Sequence, residues 1–258
     1  MSEIPGMICF VVAAAALVSA SVHDVRTREV PDIHWAVIGV TGMALMIIGI
    51  SDGVTAERLM ICAGSAMILC DILCEREWPP HMNAIFYATA AMMFAIPLMT
   101  SFDDPFVTCS AAIPVCYVIF LALFFGGVIK GGADVKCLIS LAIMFPSYPA
   151  FGTFIARSAV SAVFPFPLAV LLHASVISVL AMIPLIARNI MRGDTRMPNM
   201  FVGHRMDADR VGSSHVWPMC ENADGDGKIW VTPKIPFIVP ITAAVLFVTF
   251  VGNIMFLI

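Results

Sequence analysis

Charge is what this chain has least of: Asp, Glu, Lys and Arg together make up 12% of its 258 residues, against 60% hydrophobic. That balance excludes an ordinary soluble domain and predicts an integral membrane protein. A basic stripe is missing as well, and the formal net charge is only -4, so nothing points to a nucleic-acid partner. The 8 cysteines form no CxxC pair; most lie inside apolar runs and read as buried thiols, not as a metal or redox site. No Lys or Arg precedes the first apolar run, whose leading residues carry Glu3 instead. A cleaved signal peptide needs a basic leader, so this run reads as a retained helix with its N-terminus outside.

What is present is a series of apolar stretches: residues 7–22, 33–50, 59–74, 84–99, 106–129, 133–146, 166–187 and 235–258. Several fall short of the ~20 residues that cross the hydrocarbon and must borrow flanking turns. The expectation is an all-α polytopic membrane protein of about eight transmembrane helices. The sixth ends at Pro146, and the stretch through Arg157, Ser158 and Ser161 is expected to lie on the interface. Alternating from an outside N-terminus, the inner segments are 23–32, 75–83, 130–136 and 188–234. They hold 12 of the 14 Lys and Arg residues, all but Arg58 and Arg157, and the positive-inside rule then fixes the orientation. The domain reading is a membrane domain over 1–187, a cytosolic lobe over 188–234 and a last transmembrane helix over 235–258.

Within this frame Asp24 falls at the inner end of the first helix and Asp134 at the inner start of the sixth, both beside long apolar runs. A carboxylate at the edge of hydrocarbon is costly and marks chemistry or ion handling. Two carboxylates held close cannot both ionise cheaply, so such a pair shares one proton. The ionised member takes a proton from water as the water attacks an amide carbonyl, and the protonated member donates to the carbonyl oxygen. The pair titrates as a unit, which leaves the individual roles open. No metal or cofactor is needed.

Gly131 and Gly132, just before Asp134, lack Cβ atoms and allow a sharp bend or a close approach to another helix or to an extended substrate. Blander readings stand beside these. The glycines end one helix while Asp134 caps the next, and Asp24 pairs with Arg26 or Arg28 at the interface. Convergence of both motifs at the inner face favours the chemical reading.

The segment His23-Asp24-Val25-Arg26-Thr27-Arg28-Glu29-Val30-Pro31, the motif Gly131-Gly132-Ala133-Asp134-Val135-Lys136, and Trp230-Val231-Thr232-Pro233-Lys234-Ile235-Pro236-Phe237 together resemble archaeal prepilin peptidases. The preflagellin (prearchaellin) subgroup of the GxGD-class aspartic proteases is the nearest in pattern. The resemblance covers most of the chain in order, and it implies that Asp24 and Asp134 are the catalytic pair. It also implies removal of a short basic class III signal peptide from archaellin or type IV pilin-like precursors, after a small residue, at the cytoplasmic face of the cell membrane. Ala133 stands where the class name has its second Gly. Asp24 and Asp134 are separated by four expected helices where small members have fewer, which implies a six-helix core carrying a two-helix insertion; an even number keeps both aspartates on one side. The Cys-bearing domain and N-methylation of bacterial relatives have no counterpart, so a protease without methyltransferase activity is expected.

Glu29, Lys136, Pro233 and Pro236 are the candidate substrate-contacting residues. Glu29, with Asp32, Glu75 and Glu77, supplies inner-face acid for a basic leader, and the prolines set a rigid approach to the last helix. Residues 188–234 are too long for a bare connector, and 201–203 and 228–231 are expected as short strands of a small β-containing lobe. Residues 222–229 begin like a calcium loop but have Pro233 where a bidentate Glu is required, and read as a turn. Asp71 is the rival carboxylate, and His23 reads as an interfacial residue. An ion- or proton-coupled transporter is the alternative of another class, disfavoured by aspartates at one edge and by the lack of a repeat. A presenilin or signal-peptide-peptidase type protease is the alternative within the class, and a silent scaffold is the third.

Overall fold

A computed structural model describes residues 3–51, 53–74, 76–149, 164–213, 216–219, 227–233 and 236–254. The helices of the first part are α1 (Glu3–Thr27), α2 (Ile33–Gly49), α3 (Ala56–Leu73), α4 (Pro80–Thr100), α5 (Pro105–Ser110), α6 (Ala112–Phe125) and α7 (Gly132–Met144). Then come α8 (Phe166–Leu180), α9 (Ile183–Arg192), α10 (Asn199–Val202), strands β1 (His204–Asp207), β2 (Val216–Pro218) and β3 (Lys228–Pro233), and α11 (Ile238–Phe250). Each of the eight apolar runs carries at least one helix among the described residues. Four stretches are long and apolar enough to cross a bilayer by themselves: Pro5–Thr27, Pro80–Thr100, Pro105–Phe125 and Phe166–Arg192. The protein is therefore a helical membrane protein with a small sheet.

The shorter helices are placed by packing. The 13 residues of α7 span ~20 Å at 1.5 Å per residue, less than the ~30 Å hydrocarbon thickness. α7 is nevertheless the most enclosed element, with Cys137 through Met144 all buried against α2, α3 and α6. One glycine makes this possible: a Cβ at Gly42 of α2 would lie 2.6 Å from the Met144 Cα, so only a residue without a side chain lets the two backbones approach this closely. Outward-facing Val11, Val18, Val40, Ile48, Ile85 and Val118 are exposed, as expected of surfaces solvated by lipid. α1 packs on α2 and α11, and α2 packs on α7. The C-terminal end of α1 and the N-terminal end of α7 thereby flank one end of α2.

The chain divides into two compact units, residues 1–174 with 237–258, and residues 175–236. The second unit contains an antiparallel sheet in the order β1-β3-β2, with His204 opposite Val231 and Trp217 opposite Thr232. Trp230 and Val231 of its central strand β3 are buried. The first strand begins at His204, not at Phe201 as expected. Phe201 and Val202 belong to α10 because the Asn189 side-chain amide donates to the carbonyls of Met200 (2.9 Å) and Gly203 (2.6 Å), and the Gly203 N–H closes back on the Asn199 carbonyl. Those carbonyls are satisfied locally and need no strand partner. The expected interfacial stretch after Ala150, Glu75, Lys234 and the calcium-like positions 222–226 lie outside the described residues.

Candidate active site

α1 ends in a hydrogen-bonded reversal that carries Asp24. The Arg28 amide donates to the Asp24 carbonyl at 3.2 Å, and the Glu29 amide donates to Thr27 Oγ1 at 3.3 Å. Arg28 has φ +61°, a left-handed conformation that costs a non-glycine residue about 1–3 kcal/mol. Beyond it, the His34 ring is held on both sides: Nδ1 lies 2.9 Å from the Pro31 carbonyl and Nε2 3.1 Å from Ser19 Oγ. His23 faces that ring with centroids 5.5 Å apart. The turn following Asp24 is thus folded back against α1 and α2.

The half-buried Asp24 carboxylate reaches the start of α11, where Oδ2 accepts the Ile238 backbone N–H at 3.2 Å. A first-turn amide has no partner within its own helix, and the helix dipole favours an anion there. A hydroxyl pair one turn back, Ser21 Oγ to Thr242 Oγ1 at 2.8 Å, fastens α1 to α11 at the same level. The Arg28 guanidinium lies within electrostatic reach of Asp24, yet its Nε and Nη1 are enclosed without a hydrogen-bond partner among the described residues.

Asp134 sits in the first turn of α7, whose N-cap is Gly131 with extended backbone and no side-chain cap bond. The carboxylate does not cap the helix; it folds over Gly131, where an added Cβ would be 2.3 Å from Oδ2. The neighbouring Gly132 is different: a Cβ there meets nothing within 4 Å. The two glycines therefore have separate consequences, one shaping the room for the Asp134 side chain and the other bordering open space. Asp24 and Asp134 lie within electrostatic reach of each other, so the structure brings together the two residues singled out by the sequence.

Asp32 and Lys136 tie the two segments together, with Lys136 Nζ 2.6 Å from Asp32 Oδ2. Glu29 is exposed. Pro233 closes β3 opposite Val216, and Pro236 precedes Phe237 at the end of the second unit. The rival carboxylate Asp71 is fully occupied: it accepts from Arg76, from the Tyr117 hydroxyl and, at 3.2 Å, from the Tyr87 hydroxyl. The Arg76 guanidinium in turn lies 4.8 Å from the Trp78 ring and 3.9 Å from the Phe86 ring, in cation–π contact with both. This hub joins α3, α4 and α6 and floors a cleft of about 360 Å³ that opens beside Gly132 and Val135. Its signal in the sequence was the scarcity of tyrosine: of 3 in the chain, two hold Asp71.

No family model matches the chain. Two curated proteins do, almost end to end: the preflagellin peptidase of Methanococcus maripaludis is 23% identical over 273 residues, 96% of each chain. That of Methanocaldococcus jannaschii is 23% identical over 271 residues, 96% of this chain and 95% of its own. The chain is similar to these preflagellin peptidases over nearly its whole length. A preflagellin peptidase likeness that runs nearly the full length takes in both aspartate segments and the lobe, so it does not rest on one shared motif. What sequence reasoning missed around the pair is the Ile238 amide and the backward turn at Arg28. Neither has a signature in residue type, because one is a backbone group and the other a conformation usually left to glycine.

Proposed function

We propose that this protein is an aspartic endopeptidase that removes the short basic signal peptide from archaellin or type IV pilin-like precursors, with Asp24 and Asp134 as the water-activating pair. The observation that carries the reading is the placement of two half-buried carboxylates, from the end of α1 and the start of α7, within electrostatic reach of one another. The full-length similarity to two preflagellin peptidases supports the same reaction and the same substrate class.

In this reading the chain crosses the cell membrane eight times, as a six-helix core with a two-helix insertion, and its N-terminus lies outside. Residues 188–234 form a cytosolic lobe, and the carboxylate pair works at the cytoplasmic face. A precursor enters extended at that face, since a helical substrate shields its scissile carbonyl within the backbone ladder. Water attacks the carbonyl as one carboxylate takes its proton and the other protonates the carbonyl oxygen; the exchange reverses as the amine leaves. Gly131 leaves room for the Asp134 carboxylate, and Glu29 and the prolines 233 and 236 are proposed substrate contacts.

The test is to incubate membranes containing the protein with a prearchaellin and a prepilin, comparing wild type with Asp24→Asn and Asp134→Asn at equal expression. Loss of cleavage in both variants is expected. Cleavage retained by either one removes that residue from the site.

A further inference from the structure

We propose that α9 docks on anionic phospholipid at the end of its own membrane span, with Arg188 and Arg192 taking the headgroup phosphates while Ile190 and Met191 enter the acyl layer. This surface belongs to the second compact unit and is independent of the peptidase reading.

α9 is turned inside out relative to the unit that carries it. At 3.6 residues per turn, Ile183, Ala187, Ile190 and Met191 share roughly 100° of its circumference, and all four are exposed, Met191 at 81%. The one buried α9 residue is polar: Asn189, on the other side, whose amide holds the Met200 and Gly203 carbonyls. A helix packed on a lobe in water buries its apolar stripe and exposes its polar side. The reverse arrangement suits a helix whose outer face meets hydrocarbon.

Position along the chain puts hydrocarbon there. α8 and α9 lie on one stretch, Phe166–Arg192, that is apolar and long enough to cross a bilayer. No Asp, Glu, Lys or Arg occurs from 166 to 187, a run of ~33 Å at 1.5 Å per residue, and the hydrocarbon is ~30 Å thick. Arg188 is therefore the first charge where the acyl layer ends, and Arg192 follows one turn on. Both are exposed, and neither forms an ion pair with another described residue. Between 183 and 203 the three arginines 188, 192 and 196 face a single acid, Asp194, which Arg205 engages at 3.7 Å. α10, packed on α9, adds exposed Phe201 and Val202.

The directions of the side chains fit this layering. Helical side chains lean toward the N-terminus, here the bilayer side, so Ile190 and Met191 reach back to the acyl chains while the long arginine stems snorkel out to the phosphates. A guanidinium fork matches phosphate oxygens, and each basic residue near an anionic leaflet gains about five-fold in affinity. A basic signal peptide is repelled by this face, and a second copy laid face to face would set arginine against arginine.

The contact is read by a photo-crosslinking residue placed at Met191 in the full chain, with one at the exposed Asp209 as control, in bilayers of phosphatidylcholine mixed with phosphatidylglycerol. Lipid adducts are expected at 191 and not at 209, and those at 191 should be enriched in phosphatidylglycerol over the bilayer. Arg188→Gln combined with Arg192→Gln should lower that enrichment about five-fold or more, while the corresponding lysine pair keeps most of it. High salt should weaken the enrichment in the otherwise unaltered chain, a readout that needs no charge variant to fold. Adducts to protein in place of lipid at 191, equal lipid labelling at 209, or an enrichment that survives both high salt and removal of the two arginines overturns the proposal.

Discussion

Lys136 Nζ lies 2.6 Å from Asp32 Oδ2, an ion pair between residues 104 positions apart that ties the first turn of α7 to the start of α2. Lys136 is two residues from Asp134, and Asp32 is eight from Asp24. The pair is a quarter to a half exposed, at 25% for Lys136 and 47% for Asp32, so its worth to stability is at most about 1 kcal/mol. Its effect on geometry is expected to be larger. Lys136→Ala and Asp32→Ala should each slow precursor cleavage roughly five-fold, and the double variant should be no slower than either single one, since contacting residues are coupled. Additive losses in cleavage assays would show that the two residues act separately.

Gly131→Ala and Gly132→Ala should differ sharply although they are adjacent. A methyl at 131 falls 2.3 Å from Asp134 Oδ2, while one at 132 meets nothing within 4 Å. Displacing a reacting group by about 1 Å costs on the order of 100-fold in rate. Gly131→Ala is expected to lose cleavage on that scale at normal expression, and Gly132→Ala to keep most of it. Equal losses would mean that the motif serves the substrate path, not the placement of Asp134.

Asp71 separates structural from chemical acidity. Tyr117→Phe leaves a part-buried carboxylate short of a donor, at a cost of about 1–3 kcal/mol, measurable as a lower denaturant midpoint in detergent. Asp71→Asn should lose stability in the same way and still cleave precursor. A cleavage-dead, normally stable Asp71→Asn would return Asp71 to the active site.

At the other end of the bundle, Asp104 precedes α5 and is bound by Arg58 through two bonds of 2.7 and 3.2 Å. The Arg58 hydrogen bonds, helped by the Phe106 and Val107 amides, hold its carboxyl below the ordinary value of 3.8. A depressed folded value stabilises above the unfolded value, and that contribution fades as pH falls through the folded one. Wild type should therefore be more stable than Asp104→Asn near neutrality, with the gap closing below about pH 4. Melting curves of the two proteins across that range check the sign.

Much of the fold, and the two candidate aspartates, could be read from local pattern alone. Hydropathy marks where the helices lie, since apolar runs must be shielded from water whatever their neighbours are. Parity with the charge count then put Asp24 and Asp134 at one end. The rest was illegible for definite reasons. That Gly131 and not Gly132 is sterically required depends on the Asp134 rotamer. Strand β1 starts at His204 because Asn189 holds the carbonyls before it. The length of α7 is set by burial among three helices, not by the bilayer.

The sequence by itself determined that this is a helical membrane protein, with one aspartate near the end of its first helix and another at a glycine-led helix start. Residue type and spacing are enough for that, because hydrophobicity and helix period act locally. Only the tertiary structure decided that the Ile238 amide attends one aspartate while the other lies over bare glycine. Hydrogen bonds across 214 positions and a left-handed arginine depend on how the chain closes on itself, and that closure is what makes two like carboxylates unequal.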